Sequence, residues 1–343
     1  MSKGDVLIIG AGISGITVAI ELAQVGLSPT LIEREASIGG LSGSFCCKAS
    51  ESCNKCFACV VDKRISEVQQ HPDISILTQT ELTGVKGNPG DYRLSLKKNR
   101  EPLERMASAV VIAAGIDPYD ASQKEEYGYR RYKNVITAKD LDEMLRYRGK
   151  LYRPSDGQLP KKIAFFQCVG SRDESIGNLY CSQVCCAYAL RLIKALRHQY
   201  PEVEAAFLYL DIQPAGASFK AFLDSCRQDK GIRLIRTLPS KIYRTPRTED
   251  LRVRLTDPQR DAVVEESFDL IVLSVGMVLR KTARPLLEFF NLALTEEGFI
   301  ASPSSQSGLF ITGACTGPKD IDRSILQAKS TAFQVQRYLE ARN

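Results

Sequence analysis

Residues 5–33 carry the pattern that most restricts the fold. Asp5-Val6-Leu7-Ile8-Ile9 is a short apolar run rich in β-branched residues, suited to a buried parallel strand. Gly10-Ala11-Gly12-Ile13-Ser14-Gly15 follows at once. Ile16, Ala19, Ile20 and Ala23 then mark one apolar face of a helix that Gly26 ends. The three glycines differ in what they permit. Gly10 makes the tight turn, Gly12 lets a pyrophosphate approach the backbone, and Gly15 lets helix and strand touch. The first helical turn, with Ile13 and Ser14, presents free N–H groups to phosphate. Thr30-Leu31-Ile32 reads as the second strand. It ends at Glu33, whose carboxylate accepts from both ribose hydroxyls and disfavours a 2′-phosphate. Strand, glycines, helix, strand and acid in register predict a Rossmann-type unit that holds a dinucleotide.

The fingerprint alone does not separate FAD from NAD. Ile38-Gly39-Gly40-Leu41, close behind Glu33 and Arg34, favours FAD, and so does the late segment Gly308-Leu-Phe-Ile-Thr-Gly313-Ala314-Cys315. These segments resemble the two-dinucleotide-binding flavoproteins, the superfamily of thioredoxin and glutathione reductases. In that superfamily a late strand ending in Gly-Asp contacts the flavin ribityl chain; here Ala314-Cys315 stands at that point. Val110-Val-Ile-Ala-Ala114-Gly115 and Leu270-Ile-Val-Leu-Ser-Val-Gly276 look like the paired strand ends that pass between the two domains. The resemblance implies an α/β chain with two Rossmann-like domains. The FAD domain is discontinuous, 1–149 plus 277–343, and 150–276 is an inserted domain. Residues 121–132 read as a surface connection, and no internal repeat stands out.

The chain has 343 residues, enough for two domains, and at 44% hydrophobic and 25% charged it has the composition of a soluble globular protein. No apolar run is long enough to span a bilayer. The 46 basic and 40 acidic residues are interspersed, which argues against nucleic-acid binding. The start leads directly into a strand without a signal-peptide core. With that start, eleven cysteines point to cytoplasmic metal or redox chemistry rather than a secreted disulfide framework.

The inserted domain begins like the first and then departs from it. Lys162-Ile-Ala-Phe-Phe-Gln167 is another apolar strand, but Cys168-Val-Gly170-Ser-Arg172 follows it where a pyridine-nucleotide reductase has a second glycine fingerprint. A helix starting near Cys181 is expected to carry Val184, Tyr188, Leu192 and Leu196 on one face. Further strands are expected at 206–210, 232–235 and 251–255. Without the glycine turn a nucleotide's phosphates lose their backbone donors, so NAD(P)H binding is expected to be weak or lost. Cys168, Cys181, Cys185 and Cys186 give C-x12-C-x3-C-C, which is neither the ferredoxin run nor a paired zinc knuckle. Adjacent cysteines bridge each other only with strain, but both can ligate one compact cluster. A [4Fe-4S] centre, a zinc ion and a non-ligand role remain open on ligand chemistry alone.

A second resemblance is more specific. Gln167-Cys-Val-Gly-Ser-Arg172 and Tyr180-Cys-Ser-Gln-Val-Cys-Cys-Ala-Tyr-Ala-Leu190 closely resemble the A subunit of heterodisulfide reductase, as do Asn134-Val-Ile-Thr137 and Gly317-Pro-Lys-Asp-Ile321. In that family the four matching cysteines hold a [4Fe-4S] cluster beside FAD. The resemblance covers the core shared with thioredoxin reductase, without the extra modules of methanogen members. This compact form resembles the subunit from sulfur-oxidising bacteria and, less closely, a subunit of a quinone-interacting oxidoreductase. It implies an electron-transfer subunit that works with B- and C-like partner subunits, forms a homodimer and inserts into no membrane.

It also implies roles for two cations. Arg191 stands where the family often has lysine near flavin N5, and a fixed cation there favours reduced flavin. Flavin bifurcation, implied for methanogen relatives, is not expected with this substitution. Lys319, Asp320 and Ile321 open the closing helix, whose free N–H groups would meet the flavin pyrimidine oxygens. Ile325, Ala328, Ala332, Val335 and Leu339 form its apolar face.

The N-terminal cysteines form another group, Cys46-Cys47-x5-Cys53-x2-Cys56-x2-Cys59. The C-x2-C-x2-C core resembles part of a bacterial ferredoxin run, with Cys46 or Cys47 as fourth ligand. A second cluster on Cys47, Cys53, Cys56 and Cys59, a site completed by a partner, and reducible thiols all remain open. A self-contained NAD(P)H-dependent disulfide reductase is the competing function. It needs a C-x4-C pair near the Gly-Gly turn and a late histidine base; no pair near that turn has that spacing, and the histidines are His71 and His198.

Overall fold

The structure is a computed structural model and describes residues 5–213, 219–245, 248–257, 261–303 and 307–342. Two compact units divide the chain. One comprises Met1–Ser44, Phe57–Asp117 and Val278–Asn343; the other comprises Phe45–Cys56 and Pro118–Met277.

The first unit is built on a five-stranded parallel sheet in the order Leu309–Ile311, Ala109–Ile112, Val6–Ile9, Thr30–Ile32, Ser75–Leu77. Its central strand is buried at every residue, as the uninterrupted apolar run requires. The fingerprint helix Ile13–Gln24 packs against the closing helix Ile321–Glu340. Ile16, Ile20 and Ala23 meet Ala328, Ala332, Val335 and Leu339 in one core, as the periodicity predicts. Each Ile, Leu or Val buried there contributes about 1.5–3 kcal/mol. An antiparallel sheet of Thr80–Asn88, Asp91–Lys98 and Glu101–Ala107 completes this unit.

The second unit repeats the plan. Its parallel sheet runs Ile232–Arg236, Glu204–Tyr209, Lys162–Val169, Leu270–Val275, Val135–Thr137. Lys241–Arg244, Leu251–Asp257 and Ala262–Phe268 form its antiparallel sheet. The sequence assigns residues up to 149 to the first unit. Val135–Thr137 instead pairs in parallel with Leu270–Val275 and forms the edge of the second sheet. Tyr127, Tyr129 and Tyr132 pack on the core behind that sheet, so 121–132 is not a bare surface connection. The cysteine helix is Cys185–Gln199, four residues later than expected.

Candidate redox sites

In the first unit the strand ends and turns expected to hold a dinucleotide gather at the carboxyl edge of the sheet, where such folds bind ligands. Gly10 has φ +102°, and a side chain there would strike the Ala113 carbonyl. Gly12 bridges to Gly39, and a Cβ on Gly40 would stand 3.0 Å from the Gly12 Cα. Two bare backbone turns therefore abut and leave a cradle that side chains would fill. No side chain caps the fingerprint helix, and its first turn carries no acid, so its N-terminus suits an anion. Glu33 is 6% exposed; its Oε2 accepts from Ala11 N at 2.8 Å and its Oε1 from Glu35 N at 3.0 Å. Each oxygen keeps a lone pair for a ribose hydroxyl. Arg34 turns outward to Glu35.

Gly313 lies against Ser14. Beside Gly313, the Thr312 hydroxyl is buried without a hydrogen-bond partner among the described residues. That orphan, the uncapped helix and the glycine cradle fit FAD. The buried Cys315 thiol donates to the Thr312 carbonyl at 3.2 Å and receives the Ala114 and Gly115 amides, so it fastens two turns together. Lys319 Nζ donates to Gly313 O, Thr316 Oγ1 and Gly317 O at 3.1, 2.8 and 3.0 Å. Burial lowers its pKa. Those bonds make it a brace for its own loop. Asp320 Oδ1 accepts from Arg323 N at 2.9 Å and caps the closing helix, which begins at Ile321. Leu41 opens a short 3-10 turn directly after Gly40. Gly276 is placed in the second unit, where its Cβ would meet the Gly170 carbonyl at 2.8 Å.

In the second unit the four predicted cysteines come together. Cys168 is the penultimate residue of the central strand, and Cys185 and Cys186 open the cysteine helix, which no side chain caps. Cys185 is within hydrogen-bonding reach of Cys168 and Cys186, which raises its own pKa and lowers theirs. Burial raises Cys181, whose Sγ accepts from Gln183 N at 3.2 Å. Cys168, Arg172 and Gln183 have φ of 61°, 54° and 59°, left-handed backbone that non-glycine residues adopt at a cost of about 1–2 kcal/mol each. Such strain gathers at functional sites.

Ser171 Oγ and Gln167 Oε1 beside Cys168 are buried without partners among the described residues. Among the described residues, no three His, Cys, Asp or Glu side chains converge on a point that holds a single metal ion. Four thiols gathered at one turn, beside orphaned polar groups, are the donor set a [4Fe-4S] cluster uses, one thiolate to each iron. Arg191 is half-buried on the same helix, five residues beyond Cys186.

The N-terminal cysteines are more exposed. Cys47, Cys53 and Cys59 are open to solvent, and Cys46 and Cys56 are half-buried. Sequence reasoning missed what anchors this segment. Lys48 and Asp142 form an ion pair at 2.7 Å with side chains 1% and 0% exposed. Asp142 also accepts from Cys46 N at 2.7 Å and from the Tyr188 hydroxyl at 2.5 Å. The ammonium faces the rings of Phe45 and Tyr188 at 5.3 and 5.0 Å. Lys48 N donates to Cys56 Sγ at 3.4 Å. The Cys46 pKa is pushed up to about 12 by burial and the Asp142 charge. Tyr188 belongs to the cysteine helix, so the segment is tied to the element that presents Cys185 and Cys186.

A family model described as FAD dependent oxidoreductase matches residues 5–45. Over 98% of this chain, the second iron-sulfur A subunit of CoB–CoM heterodisulfide reductase from Methanopyrus kandleri is 31% identical, with 64% of that protein covered. The A subunit of the ferredoxin/F(420)H(2)-dependent enzyme from Methanosarcina acetivorans is 30% identical over 98% of the chain and 53% of its own length. The chain is similar to these heterodisulfide reductase A subunits over nearly its whole length. It spans between about half and two thirds of the length of these relatives. Thioredoxin reductase from T. acidophilum superposes with a TM-score of 0.63 at 15% identity, covering 99% of both chains. That from Lactococcus lactis gives 0.63 at 17%, covering 99% of this chain and all of the other. The fold is that of thioredoxin reductase; the matched family model and the similar sequences are those of flavin-linked oxidoreductases. No described helix is long and apolar enough to cross a membrane.

Proposed function

We propose that this chain is the electron-transfer flavoprotein of a heterodisulfide-reductase-like assembly in sulfur metabolism. FAD would be held by Gly10, Gly12, Gly15 and Glu33, and a [4Fe-4S] cluster by Cys168, Cys181, Cys185 and Cys186. The flavin supplies exchange between two-electron and one-electron steps, and the cluster supplies single-electron transfer. The protein's own contribution is positional: the glycine turns admit a pyrophosphate, and Glu33 orients a ribose. Partners resembling the B and C subunits would carry the substrate chemistry, and a homodimer in the cytoplasm belongs to the same proposal. Cys47, Cys53, Cys56 and Cys59 are the candidates for a second cluster.

The gathering of four thiols at the first strand–helix turn of the second unit carries this reading, because that turn is where a nicotinamide nucleotide's pyrophosphate would need bare backbone. The test is iron, acid-labile sulfide and flavin analysis of anaerobically reconstituted protein. One FAD and four irons are expected, or eight irons where the N-terminal cysteines hold a second cluster, with Cys185→Ala losing four irons and keeping the flavin. An iron-free yellow protein would sink the proposal. Fast NADH oxidation coupled to disulfide reduction would favour the self-contained reductase that the thioredoxin-reductase fold also accommodates.

A further inference from the structure

We propose that Arg172, gripped by Asp211, is a positioning residue that supplies the fixed positive charge of the four-cysteine site and thereby raises the reduction potential of its cluster. This inference rests on the cluster reading above.

Both units have an acid just past their second strand. In the first unit, Glu33 follows Thr30–Ile32 and accepts from Ala11 N in the glycine turn. In the second, Asp211 lies two residues beyond Glu204–Tyr209. A dinucleotide domain uses an acid at this point for ribose hydroxyls. Asp211 instead accepts from Arg172 Nη1 at 2.5 Å, and Arg172 comes from the cysteine turn. The acid is kept, but its bonding is turned toward the thiols.

The geometry ties this pair to the ligand set on both sides. Arg172 N donates to the carbonyl of Tyr180, next to Cys181, at 3.0 Å. Ser171 N donates to Cys168 O at 3.2 Å. Cys186 Sγ donates to Asp211 O at 3.8 Å. Gln213 Nε2 donates to Asp211 Oδ1 at 3.0 Å and steadies the carboxylate.

Stability alone does not account for the arrangement. The Arg172 and Asp211 side chains are 27% and 46% exposed, and ion pairs this exposed to solvent contribute little to stability. Left-handed backbone at Arg172 costs at least as much. What remains is the charge itself. A cavity of about 290 Å³ lined by Arg172, Tyr209, Asp211 and Arg236 keeps the outer face of the guanidinium near water. Solvent screening at that face limits the effect to about a tenfold change in the reduced-to-oxidised ratio, which is 59 mV for a one-electron couple.

The test is an EPR-monitored dithionite titration of the anaerobically reconstituted full chain, with iron content measured in parallel. Adding one electron is easier beside a cation and harder beside an anion. R172Q is therefore expected to shift the midpoint negative by about the tenfold equivalent, and D211N to shift it positive. R172K keeps the charge and is expected to stay near wild type. Opposite shifts with full iron support the inference; iron-loaded variants that shift together, or not at all, overturn it. Should R172Q lose iron, D211N and R172K decide: a positive shift in the first with an unchanged second supports it, and an unshifted D211N overturns it. An iron-free wild type removes the cluster reading and this inference together, whereas a loaded wild type with unshifted variants removes this inference alone.

Discussion

A methyl group on Gly15 would run into the carbonyl oxygen of Gly10, which is backbone and cannot step aside. Gly15→Ala is expected to cost about 3 kcal/mol in urea unfolding and to lower the flavin content of purified protein. The glycines were legible because their constraint is local: three positions within six residues, flanked by a strand and a helix. Lys48 was not. A lysine in a cysteine-rich loop reads as exposed, and its burial depends on Asp142, 94 residues away, which no local pattern announces. Lys48→Met strands the Asp142 charge in the interior and is expected to cost about 3–5 kcal/mol. The double variant with Asp142→Asn removes both charges and leaves an amide oxygen for Cys46 N–H, so it should recover about half of that loss. A double variant no more stable than Lys48→Met alone would show that the ion pair is not what holds the segment. Asp211 could have been found from sequence: applying the reasoning that picked Glu33 to the strand ending at Tyr209 leads directly to it.

At the scale of elements, the long apolar strands and the closing helix were readable, because both faces of a parallel sheet and one face of a helix must be apolar. The short edge strand Val135–Thr137 was not, since three residues carry no period and its partner begins 135 residues later. Helix Phe219–Gln228 provides a pH test of burial. Its Cys226 is fully buried, and burial pushes the thiol up from 9.0 to about 11. Between those values the unfolded thiol is ionised and the folded one is not, so the unfolded state binds fewer protons. Stability therefore holds below about pH 9 and falls toward pH 11, by up to about 1.4 kcal/mol per pH unit from this residue. Tyr127, pushed up to about 12 by burial, adds to the decline at higher pH. Cys226→Ala is expected to flatten the slope by one proton in urea unfolding at a series of alkaline pH values. An unchanged slope would mean that the thiol is not sealed from solvent in the folded state.

At the scale of the whole molecule, the two units share one element order although no repeat is visible in the sequence. In each, a central strand feeds a helix, a second and third strand follow on one side, an antiparallel three-stranded sheet comes next, and another strand returns beside the first. Backbone topology survives replacement of nearly every side chain, provided each sheet stays apolar on both faces. The sites diverge at the one turn where chemistry is decided. The first unit keeps Gly10, Gly12 and Gly15; the second places Cys168 with φ +61° at the same turn and fills the adjoining helix start with Cys185 and Cys186. A nicotinamide nucleotide would have to put its pyrophosphate against those thiols, and the acid that would take its ribose is held by Arg172. NADH and NADPH are therefore expected to leave the flavin oxidised over seconds in anaerobic stopped-flow experiments, while dithionite bleaches it. Bleaching by either nucleotide at enzymatic rates would mean that the second unit still works as a nucleotide domain, and that the cysteines there are not a replacement for that role.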